Sequence, residues 1–410
     1  MKKCDLAKDE GAVSNAEIGI QEVDFGSLFQ FIRNGMNIKQ DKSGKGLPIT
    51  RIETISFSDV DPNRVGFAAL SEAECENWIL QNGDILFSHI NSVEHIGKCA
   101  VYRSIPGKLV HGMNLLCLRC DTTQLLPEFA KYLIRGPEFR IKLAAFINKA
   151  VNQASVSIGN LKTIQVHIPP ITEQKRIAAI LDKTEELRGL RRKALGELDA
   201  IVQSIFLEMF GDSAMNSEGW SKGCLGDVAT FFGGGTPKRE RPEYFEGSIC
   251  WATSKDMKSE FLDDTQEHIT AQAIKESATN LVPVGTILIV VKSKILAHSL
   301  PVAITRVPTC FGQDIKGIKT SENCEITFVA TALRYGKRWL LEKARGINTE
   351  GLTLDHLKAF PLLIPPIVLQ QEFARRVEAI ERLKTTHRQS LAQLDALFAS
   401  LQNRAFRGEL

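Results

Sequence analysis

The chain carries none of the residue patterns that common catalytic sites require. It contains no G-x-x-x-x-G-K-[ST] phosphate loop, no G-x-G-x-x-G fingerprint, no H-E-x-x-H pair and no Asp/Asn-Pro-Pro-Tyr/Phe box. The triple glycine before Thr236 and Pro237 resembles a phosphate cradle, but the proline and the absence of a Lys-Ser/Thr pair favour a flexible turn. We therefore interpret the chain as a binding or scaffold protein, not an enzyme.

The histidines and cysteines also lack the spacing along the sequence that is typical of catalytic or metal-binding groups. Four histidines lack a cysteine or carboxylate partner at a repeated spacing and are interpreted as surface or contact residues: His89, His95, His111 and His298. An odd count of nine cysteines indicates reduced thiols and predicts a cytoplasmic protein. Cys117 and Cys120 form a C-x-x-C in a strand-like run, where positions three apart point to opposite faces. We expect no metal site.

Polar residues of the kinds that contact DNA cluster in loops of the second half. Arg, Lys, Asn, Gln and small hydroxyl residues read base edges, whereas Lys and Arg attract phosphates. The candidate DNA-binding residues here, next to Arg239 and Arg241, are Thr236, Lys238, Lys255, Lys292, Ser293, Lys294 and Gln313. A solvated loop is an equally good interpretation of any one of them. Gln313 beside Asp314 favours base contacts for the group, because phosphate binding alone requires neither.

The first half offers a different set of candidates at corresponding places. These DNA-binding candidates are Arg33, Lys39, Arg51, Ser88, His89, Asn91, Lys98 and Asn114. The loop residues of the two halves differ almost completely, as expected if the two halves bind different DNA sequences.

Composition limits the class of protein without deciding it. A chain of 410 residues with 43% hydrophobic content can bury two or more cores. The net charge of +3 permits nucleic-acid binding without requiring it. The first 20 or so residues are polar and expected to be frayed, and no run of 18 apolar residues occurs, so we expect neither secretion nor a membrane span.

The elements that position these loops occur twice. Residues 161–212 and 357–408 are identical at 17 of 52 positions without a gap, including the Ile-Pro-Pro-Ile runs that begin at Ile168 and Ile364. This is an internal duplication. Each proline pair ends an extended segment, so a helix is predicted from an N-cap at Thr172 to about Met209, roughly 55 Å long, and another from about Val368 to Arg404.

Apolar residues spaced alternately by four and three predict a coiled-coil seam between the two helices. The seam residues, which are also candidates for partner docking, are Ile180, Leu187, Leu198, Ile201 and Ile205 in the first helix, and Ile380, Leu383, Leu394, Leu397 and Leu401 in the second. Two helices of one chain with matching seams most simply pack on each other.

The segments before the helices also match, at an offset of about 200. In each, short β-branched runs divided by Gly, Pro and Asn predict a curved, mostly antiparallel sheet followed by a helix. The predicted strands are 49–55, 84–88, 99–102, 249–253, 285–291 and 301–305, and the helices are 128–145 and 327–344. The fold class is α+β, with domains at 1–165 and 213–361 and helical segments at 166–212 and 362–410.

The motifs that open and close these helices resemble type I restriction-modification specificity subunits. The runs 168–178 and 209–212 are similar to the start and end of the family's central conserved helix, and 364–374 and 404–410 to its C-terminal helix. Asn82-Gly83-Asp84-Ile85-Leu86 resembles a motif of the family's target recognition domains. The resemblance covers nearly the whole chain.

This resemblance implies two mostly-β target recognition domains joined by two long antiparallel coiled-coil helices, with a pseudo-two-fold repeat. It implies a non-catalytic subunit that binds double-stranded DNA, one half of a bipartite target per domain, while the helices set the gap. Two adenine methyltransferase subunits and restriction/translocase subunits are the implied partners. S-adenosylmethionine, ATP and Mg²⁺ are then cofactors of those partners, and none belongs to this chain.

Two alternatives stay open at this point. The chain could serve a methylation-only or other defence system that has no restriction partner. A purely structural coiled-coil adaptor is a third possibility, but it would not need polar loops at matched positions in both domains.

Overall fold

A computed structural model describes residues 19–40, 44–55, 59–150, 153–211, 216, 218–344, 351–406 and 409. The polar N-terminal segment up to residue 18 lies outside the described residues, as do motif residues Asp212, Arg407, Gly408 and Leu410. The chain divides into two compact units. Met1–Arg191 with Ser390–Leu410 form the first unit, and Arg192–Gln389 form the second. Each unit thus contains one domain and one part of each long helix.

The first unit is built on an antiparallel sheet of order β2-β8-β5-β7, with smaller sheets β1-β11, β3-β4 and β6-β10-β9. Its strands are β1 Gln21–Asp24, β2 Phe29–Asn34, β3 Leu47–Ile49, β4 Gly66–Ala68, β5 Ile85–Phe87, β6 Ile90–Asn91, β7 Cys99–Val101, β8 Leu116–Cys120, β9 Asn148–Ala150, β10 Gln153–Ser155 and β11 Gln165–Ile168. Its short helices are α1 Glu72–Cys75, α2 Pro127–Arg135, α3 Pro137–Ala144 and α4 Ile158–Lys162. The long helix α5, Ile171–Phe210, follows directly after β11 and two prolines.

The second unit repeats this plan in a sheet of order β13-β20-β17-β18-β15, with sheets β12-β21 and β16-β14-β19. Its strands are β12 Ser221–Cys224, β13 Ala229–Gly233, β14 Ile249–Ala252, β15 Phe261–Leu262, β16 Glu267–Ile269, β17 Ile287–Val290, β18 Val302–Thr305, β19 Thr309–Phe311, β20 Ile315–Thr320 and β21 Pro361–Ile364. Its helices are α6 Leu225–Val228, α7 Ala271–Lys275, α8 Ile326–Tyr335, α9 Lys337–Ala344, α10 Leu354–Lys358 and the long α11, Ile367–Phe406.

Most of the predicted elements are present, with four corrections. The predicted strand 49–55 ends at Ile49, after which Ile52–Ile55 form a 3-10 turn. The helix predicted over 128–145 is two helices divided at Gly136-Pro137, and the helix predicted over 327–344 is divided at Gly336. Thr172 is not an N-cap, since α5 already begins at Ile171. The prediction of mostly antiparallel sheets is confirmed, since among the described strand pairs only β14 with β19 and β15 with β18 are parallel.

Within each unit, segments of α5 and α11 pack antiparallel. In the first unit, Arg188 Nε lies 2.6 Å from Asp395 Oδ1, and its guanidinium covers the Phe398 ring at 4.5 Å. In the second unit, Lys384 Nζ lies 2.7 Å from Asp199 Oδ1. The Phe206 ring of α5 contacts the Phe373 ring of α11 at 5.5 Å. The two ion pairs occupy equivalent positions of the duplicated sequence.

The predicted seam is correct at every second position and displaced by one residue at the others. Thr184, Leu198 and Ile205 on α5, and Ile380, Leu394 and Leu401 on α11, lie on the buried or half-buried faces. Between them the buried face is formed by Leu181, Arg188, Leu195 and Val202, and by Val377, Lys384, Leu391 and Phe398. Ile180 is half-buried beside Leu181. Four predicted seam residues are instead exposed, which makes their seam assignment wrong: Leu187 (40%), Ile201 (45%), Leu383 (53%) and Leu397 (48%).

The displacement has a physical reason. The real seam is polar in its middle, where Arg188 and Lys384 pair with aspartates. A purely apolar pattern search skips these two positions and selects Leu187 and Leu383 next to them. At the other two displaced positions the true seam residues, Val202 and Phe398, are apolar as well, so the pattern does not separate them from their neighbours Ile201 and Leu397.

The buried side chain of Gln174 joins the start of α5 to the domain that precedes it. Its Oε1 accepts from the N–H of Leu126, and its Nε2 donates to the carbonyls of Gln124 and Pro169, at 2.9, 2.7 and 2.9 Å. Gln174 therefore holds together the proline turn, the helix α5 and the entry to α2.

Gln370 repeats this arrangement in the second unit. Its Oε1 accepts from the N–H of Glu325, and its Nε2 donates to the carbonyls of Pro365 and Asn323, at 2.9, 2.7 and 3.4 Å. Both glutamines are fully buried. The contact to Asn323 is the longest of these six hydrogen bonds.

Each unit closes its main core on these helices. In the first, the buried Ile177, Leu181 and Ala405 join the cluster that contains Phe129 of α2. In the second, the Phe206 ring stacks on Phe328 of α8 at 5.6 Å. Among the described helices, none is long and apolar enough to cross a membrane.

We predict that Gln370→Ala lowers the free energy of unfolding of the second unit by about 2 kcal/mol or more, because several buried backbone groups lose their partner. Gln371→Ala, at the exposed neighbouring position, is the matched control and should change it by less than about 0.5 kcal/mol. Urea unfolding of the two variants measures the difference. Equal midpoints would contradict the structural role of Gln370.

We also predict that Val202→Asp, which places a charge on the buried face of α5, costs about 3–5 kcal/mol. Val202 is 2% exposed, whereas its neighbour Ile201 is 45% exposed. Ile201→Asp should therefore cost less than about 0.5 kcal/mol. Thermal and urea unfolding of both variants check this; a larger loss for Ile201→Asp would restore the seam predicted from the apolar pattern.

Candidate nucleic-acid interface

Backbone hydrogen bonds bring four polar loops of the second domain together at one edge. The N–H of Gly235 donates to the carbonyl of Phe311, and the N–H of Gly312 donates to that of Ala252, both at 2.9 Å. The N–H of Val291 donates to the carbonyl of Asp314 at 2.8 Å. These bonds place the loops that carry Thr236, Lys255, Lys292 and Gln313 next to one another, and we call this group of loops the second-domain edge.

A glycine is required where two of these loops cross. A Cβ atom on Gly234 would lie 2.1 Å from the carbonyl oxygen of Gly312. The Trp251 indole, buried beneath, donates to the carbonyl of Gly235 at 3.0 Å. Gly234 and Gly235 therefore lie at a packed crossing of two loops, whereas the sequence predicted a flexible turn.

The candidate side chains at this edge are mostly exposed. Thr236, Lys238, Lys255, Lys292, Lys294 and Gln313 are exposed, and Ser293 is half-buried. Ser293 Oγ accepts from the N–H of Ile295 at 3.4 Å and so caps the 3-10 turn that holds Lys294. Ammonium, hydroxyl and amide groups on a rigid strand-end frame can contact both phosphates and base edges.

Arg239 and Arg241 are already engaged within the domain. Arg239 forms a bidentate pair with Glu267 at 2.6 and 2.8 Å and stacks over the Phe245 ring at 4.4 Å. This hydrogen bonding holds the pKa of Glu267 below its usual value. Arg241 pairs with Glu276 at 3.0 Å. These two arginines therefore stabilise the second-domain edge through ion pairs within the domain, and their charges are largely balanced there.

The first domain forms a comparable edge from different residues. The N–H of Met36 donates to the carbonyl of His111 at 2.7 Å, and the N–H of Gly112 donates to Thr50 Oγ1 at 2.8 Å. These bonds unite the loops that carry Lys39, Arg51 and Asn114. Lys39 is exposed and Asn114 half-buried, and Arg51 pairs with Glu53 at 2.6 Å. We call these loops, together with the loop 88–98, the first-domain edge.

The loop 88–98 holds the remaining candidates, and two of them face inward. The N–H of Gly97 donates to the carbonyl of Ser88 at 2.8 Å, and Asn91 Nδ2 donates to Ser88 Oγ at 3.3 Å. Ser88 is 1% and His89 6% exposed. This burial contradicts the expectation that they face DNA; they support the loop, whereas Asn91 and Lys98 are partly exposed.

The buried histidines of this domain are neutral at pH 7. Burial lowers the pKa of His89 to about 4 and, as the largest cause, that of His111 to about 4. His111 Nε2 lies 2.9 Å from the carbonyl of Leu115. The interpretation of His89 and His111 as surface residues is therefore wrong, since apolar periodicity does not show that a histidine is buried.

Arg33 is fixed in place by aromatic rings. Its guanidinium lies 4.5 Å from the Phe31 ring centroid and 5.0 Å from that of Trp78, and it donates to the carbonyl of Asn77 at 2.5 Å. A guanidinium held by stacking is pre-organised for further hydrogen bonds. Arg33 is half-buried and stays a candidate for contact with DNA.

Sequence reasoning missed a buried pair at the start of β5, the end of the strand opposite to the loop 88–98. Asp84, 1% exposed, accepts two hydrogen bonds from Arg119 at 2.7 Å each. Asp84 follows Gly83, whose φ of +94° lies in the left-handed region that favours glycine. Its counterpart Thr286 bonds to Pro283 and Thr305 instead. The Asn-Gly-Asp run was a visible signal, but the partner Arg119 lies 35 residues away.

Comparison with known proteins places both halves in one family. The family model for the type I restriction modification DNA specificity domain matches residues 17–198 and 217–396. The chain is 30% identical to a protein of Methanocaldococcus jannaschii named as the type I restriction enzyme MjaX specificity subunit, over 93% of this chain and 92% of that one. It is 33% identical to the Escherichia coli type I restriction enzyme EcoR124I/EcoR124II specificity subunit, over 39% of this chain and 40% of that one.

Solved structures share the fold. The type I restriction-modification S subunit of M. genitalium matches with a TM-score of 0.61 and 15% identity, over 96% of this chain and 97% of that chain. Two copies of one domain, each followed by a 40-residue helix, account for matches of this extent. On the evidence of its two family domains and its full-length relative, the chain belongs to the type I restriction-modification DNA specificity family.

Proposed function

We propose that this chain is the DNA-specificity subunit of a type I restriction-modification complex. Each recognition domain reads one half of a bipartite target in double-stranded DNA, and the two long helices set the spacing of the halves. The function rests on one observation above all. The same frame occurs twice and presents, at equivalent strand ends, two edges of different residues.

The edges differ where a specificity protein should differ. Lys292 and Gln313 of the second-domain edge correspond in place to the loops of Asn91 and Asn114 in the first-domain edge, while the glutamines at the helix starts are identical. A duplicated frame supports equal placement of two readers, and divergent edges support different base preferences.

The helices also carry a duplicated apolar surface that supports two identical partners. Leu187 and Leu397 are exposed in the first unit, and Leu383 and Ile201 are exposed at the equivalent positions of the second. Exposed apolar residues at repeated places are typical of interaction sites. We assign each pair to the docking of one adenine methyltransferase subunit.

Catalysis in this proposal belongs to the partners. The methyltransferase subunits bind S-adenosylmethionine, and restriction/translocase subunits that join the complex use ATP and Mg²⁺. The complex acts in the cytoplasm. The sequence of this chain lacks the phosphate loop and the methyltransferase box. In this proposal the chain selects the DNA sequence at which its partners react.

The first test changes one edge at a time. Alanine at Lys292, Lys294 and Gln313 should relax or weaken recognition of one half-target, and alanine at Asn91, Lys98 and Asn114 should affect the other half. Each lost base contact costs about 1–3 kcal/mol, and a lysine that meets only phosphate lowers binding evenly across sequences. Selection from randomised duplexes, with the chain bound to its methyltransferase, measures both half-sites separately.

Lys222→Ala is the matched control for this test. Lys222 is an exposed lysine of β12 that pairs with Leu363 of β21, just before α11, and it is not part of the second-domain edge. It should leave both half-sites unchanged. If either triple variant degraded both half-sites equally, the assignment of one half-site to each domain would be wrong.

A second test concerns docking. Leu187→Asp and Leu383→Asp should each reduce the number of bound methyltransferase subunits from two to one, as counted by native mass spectrometry. Because both residues are exposed, neither change should lower the unfolding midpoint. Retention of two subunits by both variants would contradict docking at these pairs.

A third test is the activity of the isolated chain. Purified without partners, it should show no methylation of DNA, no DNA cleavage and no ATP hydrolysis. Addition of the methyltransferase alone should give methylation, and cleavage should require the restriction subunit as well. Turnover by the chain free of partners would overturn its non-catalytic assignment, and methylation without any restriction partner in the genome would favour a methylation-only system.

A further inference from the structure

Three side chains with different ligand atoms converge in the second domain, outside its DNA-binding edge. Cys250 of β14 and His268 of β16 are directly opposite in an antiparallel pair, and Asp264 lies in the turn before β16. The sulfur, nitrogen and oxygen of these residues all lie within 4.8 Å of one another. Among the described residues, no other group of three such side chains meets this spacing.

We propose that Cys250, Asp264 and His268 form a binding site for a late first-row divalent cation, Zn²⁺ or its analogue Co²⁺. Thiolate, imidazole and carboxylate are the ligands that Zn²⁺ prefers, and three protein ligands leave a fourth position for water. On binding, the thiol proton of Cys250 leaves to solvent. The thiolate and carboxylate then balance the two positive charges of the ion.

One ligand distance already matches that of a tetrahedral site, and a second is shorter than such a site requires. With metal–ligand bonds of about 2.0–2.3 Å, a tetrahedron separates sulfur from oxygen by about 3.6 Å and nitrogen from oxygen by about 3.4 Å. Cys250 Sγ lies 3.5 Å from Asp264 Oδ1, and His268 Nε2 lies 2.8 Å from the same oxygen. The nitrogen and oxygen must therefore separate by roughly 0.6 Å, and a small rotation of the partly exposed His268 ring would supply this movement while Thr265 holds the carboxylate.

The frame around the three ligands is firm. The N–H of Thr265 donates to Asp264 Oδ1 at 2.9 Å, and Thr265 Oγ1 accepts from the N–H of Trp251 at 3.1 Å. Cys250 is itself 8% exposed. A neighbour that fixes a ligating carboxylate is the kind of support that metal sites use.

The nearest other cysteine does not share the site. Trp251, not Cys250, is the partner of Cys310 across the parallel pair of β14 and β19. Cys310 therefore points to the opposite face, where it packs with Tyr244 and Trp251. Cys250 is thus the single thiol ligand of the proposed site. Replacement of Cys250 therefore tests metal binding at this site and leaves Cys310 in place.

A bound ion would fasten β14 to β16 at the base of the second-domain edge. β14 ends at Ala252, whose carbonyl accepts from Gly312, and the loop of Lys255 follows. We expect the ion to stabilise this part of the domain without touching DNA. The site does not depend on the proposed function, since its test involves neither DNA nor partners.

The test is titration of the full, metal-free and tag-free reduced chain with Co²⁺. One equivalent should give visible bands of tetrahedral intensity and a thiolate-to-cobalt charge-transfer band in the near ultraviolet. One equivalent of Zn²⁺ should abolish both and raise the midpoint of thermal unfolding. Cys250→Ser should remove the charge-transfer band, and His268→Gln and Asp264→Asn should lower the affinity for Co²⁺ by roughly 100-fold, at or above the loss that outer-shell changes cause.

Cys324→Ser is the matched control, because Cys324 is a buried cysteine of the same unit that lies elsewhere. It should keep both the bands and the affinity. Asp264→Asn changes an exposed side chain and should retain the fold, which circular dichroism checks independently. Absence of the cobalt bands in the unaltered chain, or a charge-transfer band that survives in Cys250→Ser, would overturn the site.

Discussion

The position of each recognition domain depends on one buried glutamine. Gln174 and Gln370 each combine an acceptor and two donors in a single amide, so one side chain satisfies the proline turn, the helix start and the entry to a domain helix. A buried amide that fits three backbone groups tolerates little rotation, since each lost bond leaves an unpaired polar group. The domain and its helix therefore behave as one piece.

Polar groups also hold the two helices in register, because the seams between the helices are polar in the middle. Lys384 is 1% exposed in the side chain and lies 2.7 Å from both Asp199 and Glu381. Burial acts to lower the pKa of Lys384, but hydrogen bonds to the two carboxylates outweigh it and raise the pKa. The pair that crosses to the other helix, Lys384 with the largely exposed Asp199, adds little stability by itself. A shift of one helix along the other would nevertheless leave the buried ammonium of Lys384 without this partner, which is costly. Arg188 and Asp395 impose the same register in the first unit.

Duplication was the feature of the sequence that predicted most of the fold. A repeat with matched proline pairs fixed the order of domain and helix, because backbone limits at proline are local. Contacts between distant residues were not visible. Arg119 and Asp84 are 35 residues apart, and Cys250 and His268 are brought together only by strand pairing. Burial was missed for Ser88 and His89, whose polar types suggested a surface.

Separation of frame from edge allows the target to change without loss of the fold. The frame depends on buried groups such as Gln370 and Phe206, whose replacement would affect a whole unit. The edge is carried by side chains such as Lys292 and Gln313, which are exposed and whose replacement leaves the backbone bonds between loops intact. Since those bonds join main-chain atoms, they do not specify the side chains they present. Under the proposed function, new base preferences could therefore arise at one edge while the other edge and both helices keep their structure.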